Sequence, residues 1–147
     1  MNCRDVMLTL VYQCTGDTPV ATCARMMREE AIGFLPVVDA LGGVVGVVTD
    51  RDLVVRVLAD QKSPTTPVGD VMSPGPFVTC RPDEPLRSLE QRMANAKKSR
   101  ALVQDKNGAL LGIISLSDIA QVEPSAIRTG TLMREVARRE SALVARP

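Results

Sequence analysis

Gly46-Val47-Val48-Thr49-Asp50-Arg51-Asp52 and Gly112-Ile113-Ile114-Ser115-Leu116-Ser117-Asp118 are one pattern written twice. It consists of a glycine, two aliphatic residues, a hydroxyl residue, two variable residues and an aspartate. The β-branched run reads as a buried strand, and the hydroxyl followed by an acid reads as a helix start. Such a step leaves free backbone N–H groups beside a hydroxyl, which suits a phosphate. A carboxylate one turn into the helix can accept two hydrogen bonds from a ribose diol. Together these make a nucleotide handle. A capping box alone also accounts for the pattern. Against that, a reciprocal box favours the longer reach of Glu or Gln, and both copies carry Asp.

Outward from this stretch the whole chain repeats, at an offset of about 66 positions. Cys14 falls on Cys80, Asp17 on Asp83, Pro19 on Pro85, Met27 on Met93, Asp39 on Asp105 and Gly42 on Gly108. Asp5-Val6-Met7 matches Asp70-Val71-Met72 with the register slipped by one. Asp17 and Asp83 are expected to cap helices that carry a proline in the first turn. Apolar stripes follow at Val20, Cys23, Ala24, Met27 and Ala31, and at Leu86, Leu89, Met93 and Ala96. Strands are expected at Leu35–Asp39 and Val44–Thr49, then at Ala101–Gln104 and Leu110–Ser115. Short strands at Leu10–Gln13 and Phe77–Cys80 precede the helices.

The predicted fold is therefore α/β (α+β): two β-α-β-β-α repeats packed about a pseudo-twofold axis, plus a C-terminal helix. The first repeat spans 1–62, the second 63–123 and the helical extension 124–147. The polar, proline-bearing link Asp60–Pro67 should be an exposed connector. In the extension, Leu132, Met133, Val136, Ala137 and Leu143 lie mostly on one side. That side either packs onto its own domain or makes an oligomer contact.

Composition narrows the function. With 147 residues the chain is large enough for a real core. Aromatic residues are only 2%, so that core must be aliphatic. The net charge of +1 gives no general pull toward nucleic acid or anionic membrane. Arg128, Arg134, Arg138 and Arg139 make the tail locally basic, but Glu135 and Glu140 dilute it. No apolar run approaches a membrane span and no secretory signal is visible, so the expected location is the cytoplasm.

The chain holds no histidine, which removes Ser–His and Cys–His nucleophile pairs and a Cys–His zinc site. Gly42-Gly43-Val44-Val45-Gly46 is a hairpin turn rather than a phosphate-binding lysine loop. Glu29-Glu30 reads as a solvated face, and Met26-Met27 as core or dimer packing. Cys3, Cys14, Cys23 and Cys80 read as reduced thiols; a redox link between Cys14 and Cys80 is the sharper alternative. No enzyme, required cofactor or metal is expected.

The chain closely resembles a tandem pair of CBS domains, the regulatory Bateman module. The resemblance covers roughly Asp5 to Val122. It rests on Asp5-Val6-Met7, on Ile32-Gly33-Phe34-Leu35-Pro36-Val37-Val38-Asp39, and on Gly46 to Leu53 with its run Thr49-Asp50-Arg51-Asp52-Leu53, each with its second-copy counterpart. It implies a regulatory sensor that binds AMP, ADP, ATP or S-adenosylmethionine in clefts between the repeats. Site A would use Thr49, Asp50, Arg51 and Asp52 with Val78, Ser99 and Arg100. Site B would use Ser115 and Asp118 with Tyr12, Ile32, Gly33 and Phe34. Site A carries two phosphate cations, Arg51 and Arg100; site B has Leu116 and Ser117 after its serine, and Phe34 in place of Arg100. The second copy also departs from the family string, reading Ala101-Leu102-Val103-Gln104. Met26, Met27, Leu53, Val54, Val55 and Leu58 offer more apolar helix surface than one small sheet covers, so a homodimer built on the repeat helices is expected; the resemblance implies such dimers, often as a disc of four repeats, and an effector protein is expected. An interaction scaffold with empty clefts is the alternative function.

Overall fold

The aliphatic runs before the two hydroxyl–acid steps become edge strands of two separate three-stranded sheets. The structure, a computed structural model, describes the backbone of residues 1–144 and the side chains of residues 1–137. Ala145 to Pro147, and the expected roles of Arg138, Arg139, Glu140, Leu143 and Arg146, lie outside the described residues.

In chain order the elements are β1 (Cys14–Thr15), α1 (Val20–Glu29), β2 (Phe34–Val38), β3 (Val44–Thr49) and α2 (Asp50–Leu53), which continues as a π-helical turn over Val54–Leu58. Then follow β4 (Thr79–Cys80), α3 (Leu86–Ala96), β5 (Arg100–Gln104), β6 (Leu110–Ser115), α4 (Leu116–Val122) and α5 (Ala126–Val144). The mixed α/β class expected from the sequence is what forms. Each sheet has the order first, second, third strand, with a parallel then an antiparallel pairing. Phe34 pairs with Thr49, and Arg100 pairs with Ser115. Both hairpins shift register at matching places, between Val37 and Val38 and between Val103 and Gln104. Gly42 and Gly108 turn them with φ of 80° and 85°, where a side chain would be strained.

The compact units do not follow the sequence repeats. One unit contains Met1–Val11, Phe77–Lys106 and the chain from Leu110 onward; the other contains Tyr12–Pro76 and Asn107–Ala109. We call them the late and the early unit, after the sheets they hold. Each sheet is joined by the segment that begins the other sequence repeat. In the early unit, Val68 and Val71 enter a core with Cys14, Val20, Cys23, Met27, Leu35, Val37 and Val48. In the late unit, Cys3 and Val6 enter a core with Val78, Cys80, Leu86, Leu89, Met93, Val103, Ile114 and Ile119. Backbone pairing fixes both segments: Val47 exchanges hydrogen bonds with Ser73, and Leu8 with Ile113.

This exchange corrects the expected helix starts. Asp17 and Asp83 do not cap; Pro19 and Pro85 hold the cap positions with no side-chain bond. The first N–H groups of α1 donate to carbonyls of the link, Val20 to Thr66 and Ala21 to Pro64. In α3, Leu86 N–H donates to Met1 O. With the N–H groups taken by backbone, Asp17 accepts from the Thr15 hydroxyl and Asp83 lies 3.9 Å from Arg81. The link is exposed as expected, but its carbonyls still act as a cap.

Other boundaries also move. The short first strands are Cys14–Thr15 and Thr79–Cys80, so Leu10–Gln13 and Phe77–Val78 are irregular. Ala24 and Ala96 are exposed, and Ala31 lies past the end of α1 at φ 53°. On α5, Leu132 is buried and Val136 packs on the late core, whereas Met133 and Ala137 face outward. Arg128 anchors this helix between Glu90 and Glu123, at 2.9 and 3.0 Å.

All four cysteines are free and buried. Cys14 Sγ donates to Pro36 O at 3.8 Å; its neighbouring thiol is Cys23 in the early unit, and Cys3 neighbours Cys80 in the late one. Cys14 and Cys80, the pair raised by the repeat, thus each face a different thiol. The neighbouring Cys23 thiol and then burial push Cys14 up. Burial is the main cause that pushes Cys3 and Cys80 up.

Two predictions follow from this packing. A Cβ at Gly46 would meet the flexible Met72 sulfur at 2.3 Å, whereas at Gly112 it would meet the Leu8 carbonyl at 2.8 Å. Backbone yields less than a methionine tip. Both Gly→Ala variants should lose about 1–3 kcal/mol in urea denaturation, Gly112→Ala the more; equal losses would refute the seating argument. For the Cys3–Cys80 pair, the folded state holds its protons more tightly than the unfolded chain. Its stabilisation is intact below the ordinary thiol value of about 9 and is lost as pH rises above it. The urea midpoint should therefore fall between pH 8 and pH 10 by more in the parent than in Cys80→Val.

Candidate functional site

Thr49 ends β3 with an extended backbone, and the chain turns directly into α2. Its hydroxyl accepts from Asp52 N–H at 3.2 Å, while Asp52 Oδ2 accepts from Thr49 N–H at 2.9 Å. Ser115 and Asp118 repeat this at the β6–α4 step, with bonds of 3.2 and 2.7 Å. The capping box is therefore reciprocal in both copies, and aspartate reaches far enough to close it. This corrects the sequence argument that Asp is too short.

The two carboxylates differ in their remaining partners. Ser115 Oγ also donates to Asp118 Oδ2 at 2.6 Å. Asp52 Oδ1 instead faces Arg56 Nε at 3.8 Å, one helical turn on, and the Asp52 side chain is 14% exposed. The repeat position of Arg56 is Val122, so the late unit has no counterpart.

Within the early unit the β3–α2 step, expected at site A, lies beside Gly33 and Phe34, which were expected at site B. Asp50 N–H donates to Gly33 O, and a Cβ on Gly33 would lie 2.7 Å from the Asp50 carboxylate. Any side chain on Gly33 would push the Asp50 carboxylate aside. Phe34 opens β2 opposite Thr49, and Ile32 packs partly against the core. Arg51 is exposed, with its N–H on Asp50 Oδ1. The Glu30 carboxylate beside Tyr12 moves its phenol up. Glu30 is exposed, as the reading of Glu29-Glu30 as a solvated face expects.

Within the late unit, Ser99 O accepts from Leu116 N–H, and Arg100 opens β5 opposite Ser115. Val78 is buried in the core, and its carbonyl accepts from Leu102 N–H. Each unit thus brings one hydroxyl–acid step together with the β-strand entrance of its own sheet.

Sequence reasoning missed Arg56, whereas Leu53, Val54 and Leu58 were expected to offer surplus apolar helix surface. Arg56 was detectable as a basic residue four positions after Asp52, a helical ion-pair spacing. An apolar groove of about 300 Å³ lies on the early unit between α1 and the α2 continuation. Val20, Ala24, Leu53, Val54, Val57 and Leu58 line it, none of them an expected nucleotide residue.

Among the described residues no group of three or more His, Cys, Asp or Glu could hold a metal ion. No helix among them is long and apolar enough to cross a membrane.

The repeated hydroxyl–acid step, carried on paired β-α-β-β-α units, defines a class. The CBS domain family matches the chain twice, over residues 3–59 and 68–125, and the chain belongs to it. A relative from Bacillus subtilis, the CBS domain-containing protein YhcV, is 31% identical over 90% of this chain and 93% of its own. The uncharacterized protein MK0525 of Methanopyrus kandleri is 35% identical over 72% of this chain, which spans about half (54%) of that relative. Among solved structures, CBSX2 in complex with AMP superposes with a TM-score of 0.70 at 26% identity, covering 82% of this chain and 93% of that one.

Proposed function

We propose that this protein is a non-catalytic sensor of adenosine-containing ligands, of which AMP, ADP, ATP and S-adenosylmethionine are the members to test. The observation that carries the reading is the Thr49–Asp52 step. It holds a partly exposed carboxylate one helical turn from a hydroxyl, with one oxygen used in the cap and the other turned toward a cation. A ribose diol on Asp52 and a phosphate near Thr49 fit those groups. Arg51 and Arg100 are the phosphate cations of site A, joined there by Asp50, Val78 and Ser99. Site B takes Ser115 and Asp118 with Tyr12, Ile32, Gly33 and Phe34. AMP in the similar CBSX2 structure supports the ligand class. Guanidinium groups bind phosphate through paired charge-assisted bonds, so site A is the tighter of the two.

The sensor works as a cytoplasmic homodimer that signals to another protein. The groove supports the assembly: Val54, Val55 and Leu58 beside it are 55, 47 and 72% exposed. Apolar area of that kind is stabilised by cover, and a second copy presents the same surface.

Calorimetry with AMP and ATP tests the ligand reading. Asp52→Ala removes charge-assisted hydrogen bonds worth about 1.5–3 kcal/mol, or roughly tenfold to a hundredfold in affinity. Unchanged binding by Asp52→Ala rejects the assignment, and no binding by the parent favours the scaffold reading. Light scattering tests the assembly. The parent should be dimeric at micromolar concentration and Leu58→Asp monomeric; a monomeric parent ends the proposal.

A further inference from the structure

Arg56 is joined to more than Asp52. Its Nη1 donates to Val71 O at 2.9 Å and to Met72 O at 3.2 Å, while its Nε faces Asp52 Oδ1. One planar guanidinium therefore spans two structures: the first turn of α2, with the cap carboxylate, and the segment Val68–Ser73. That segment is itself tightly held. Val68 and Val71 are buried, Ser73 exchanges backbone bonds with Val47, and Met72 lies over Gly46. Lysine could satisfy one of these partners but lacks the fixed fork that serves both.

We propose that Arg56 is a positioning residue that couples ligand capture at Asp52 to the segment 68–73. The inference rests on the ligand reading above. Arg56 supplies the positive charge facing Asp52 Oδ1. A ribose that hydrogen-bonds this oxygen changes what Arg56 must balance, and the bonds to Val71 O and Met72 O are the ones free to strengthen. The segment 68–73 then tightens against β3 when site A fills. Segment 68–73 is followed by Phe77 and the late unit's strands, so it is the covalent route by which occupancy at Asp52 reaches the late unit. Site B has no such device, because Val122 stands at the repeat position.

The test combines calorimetry with hydrogen exchange at the Met72 and Ser73 amides, using AMP and S-adenosylmethionine as probes. In the parent, a bound probe should slow exchange at both amides by about tenfold, the effect of ~1.4 kcal/mol of added protection. Arg56→Gln should bind about fivefold to tenfold more weakly and show no ligand-dependent slowing, while Arg56→Lys restores affinity in part but not the slowing. A merely structural arginine gives a different result: Arg56→Gln speeds exchange without ligand, yet keeps the parent's affinity and its slowing. That outcome overturns the coupling and leaves the ligand reading intact. Absence of binding by the parent to either probe overturns both.

Discussion

Met72 lies over Gly46 so closely that a single added carbon would collide with its sulfur, and Met7 and the Leu8 carbonyl lie in the same way over Gly112. Much of the architecture depends on these two contacts. They let a strap of backbone pair with the edge of each sheet, Val47 with Ser73 and Leu8 with Ile113. The straps in turn carry Val68, Val71, Cys3 and Val6 into the cores. Residues preceding the straps complete the entrances of α1 and α3. The glycine that opens each hydroxyl–acid pattern is thus a packing residue for another part of the chain.

The regular elements were legible because their periodicity is local. Alternating burial along Val44–Thr49 and Leu110–Ser115, and the buried Val20–Cys23–Met27 and Leu86–Leu89–Met93 stripes, need no tertiary information. The errors have tertiary causes. Asp17 and Asp83 have cap composition, but carbonyls from distant residues reach the helix ends first. The two-residue strands β1 and β4 are too short to show a pattern. A repeat alignment also cannot say which sheet a flanking segment joins, since both repeats offer the same glycine. At the proposed site, Thr49, Asp52, Ser115 and Asp118 stood out from spacing alone. Arg56 did not, because its value lies in two carbonyls fifteen and sixteen residues away.

Near-identical patterns thereby acquire different electrostatics. Asp118 is engaged by the N–H and the hydroxyl of one serine. Asp52 has a guanidinium beside it and a threonine before it. Arg51 and Ser117 extend the difference at the surface. A duplicated fold can so assign unequal tasks to its copies while preserving the backbone geometry that defines them.

The exchange of straps also sets a temporal order. Pairing Val47 with Ser73 closes a loop about a quarter as long as pairing Leu8 with Ile113, a difference of roughly 1 kcal/mol in closure entropy. During synthesis, most of the early unit is available once Pro76 has emerged. Residues 1–11 leave the ribosome well before it, yet their sheet does not exist until Ser115 has been added. Cys3 and Val6 lack their partners through that interval, so the chain carries an apolar segment in waiting while most of its neighbour has already been made.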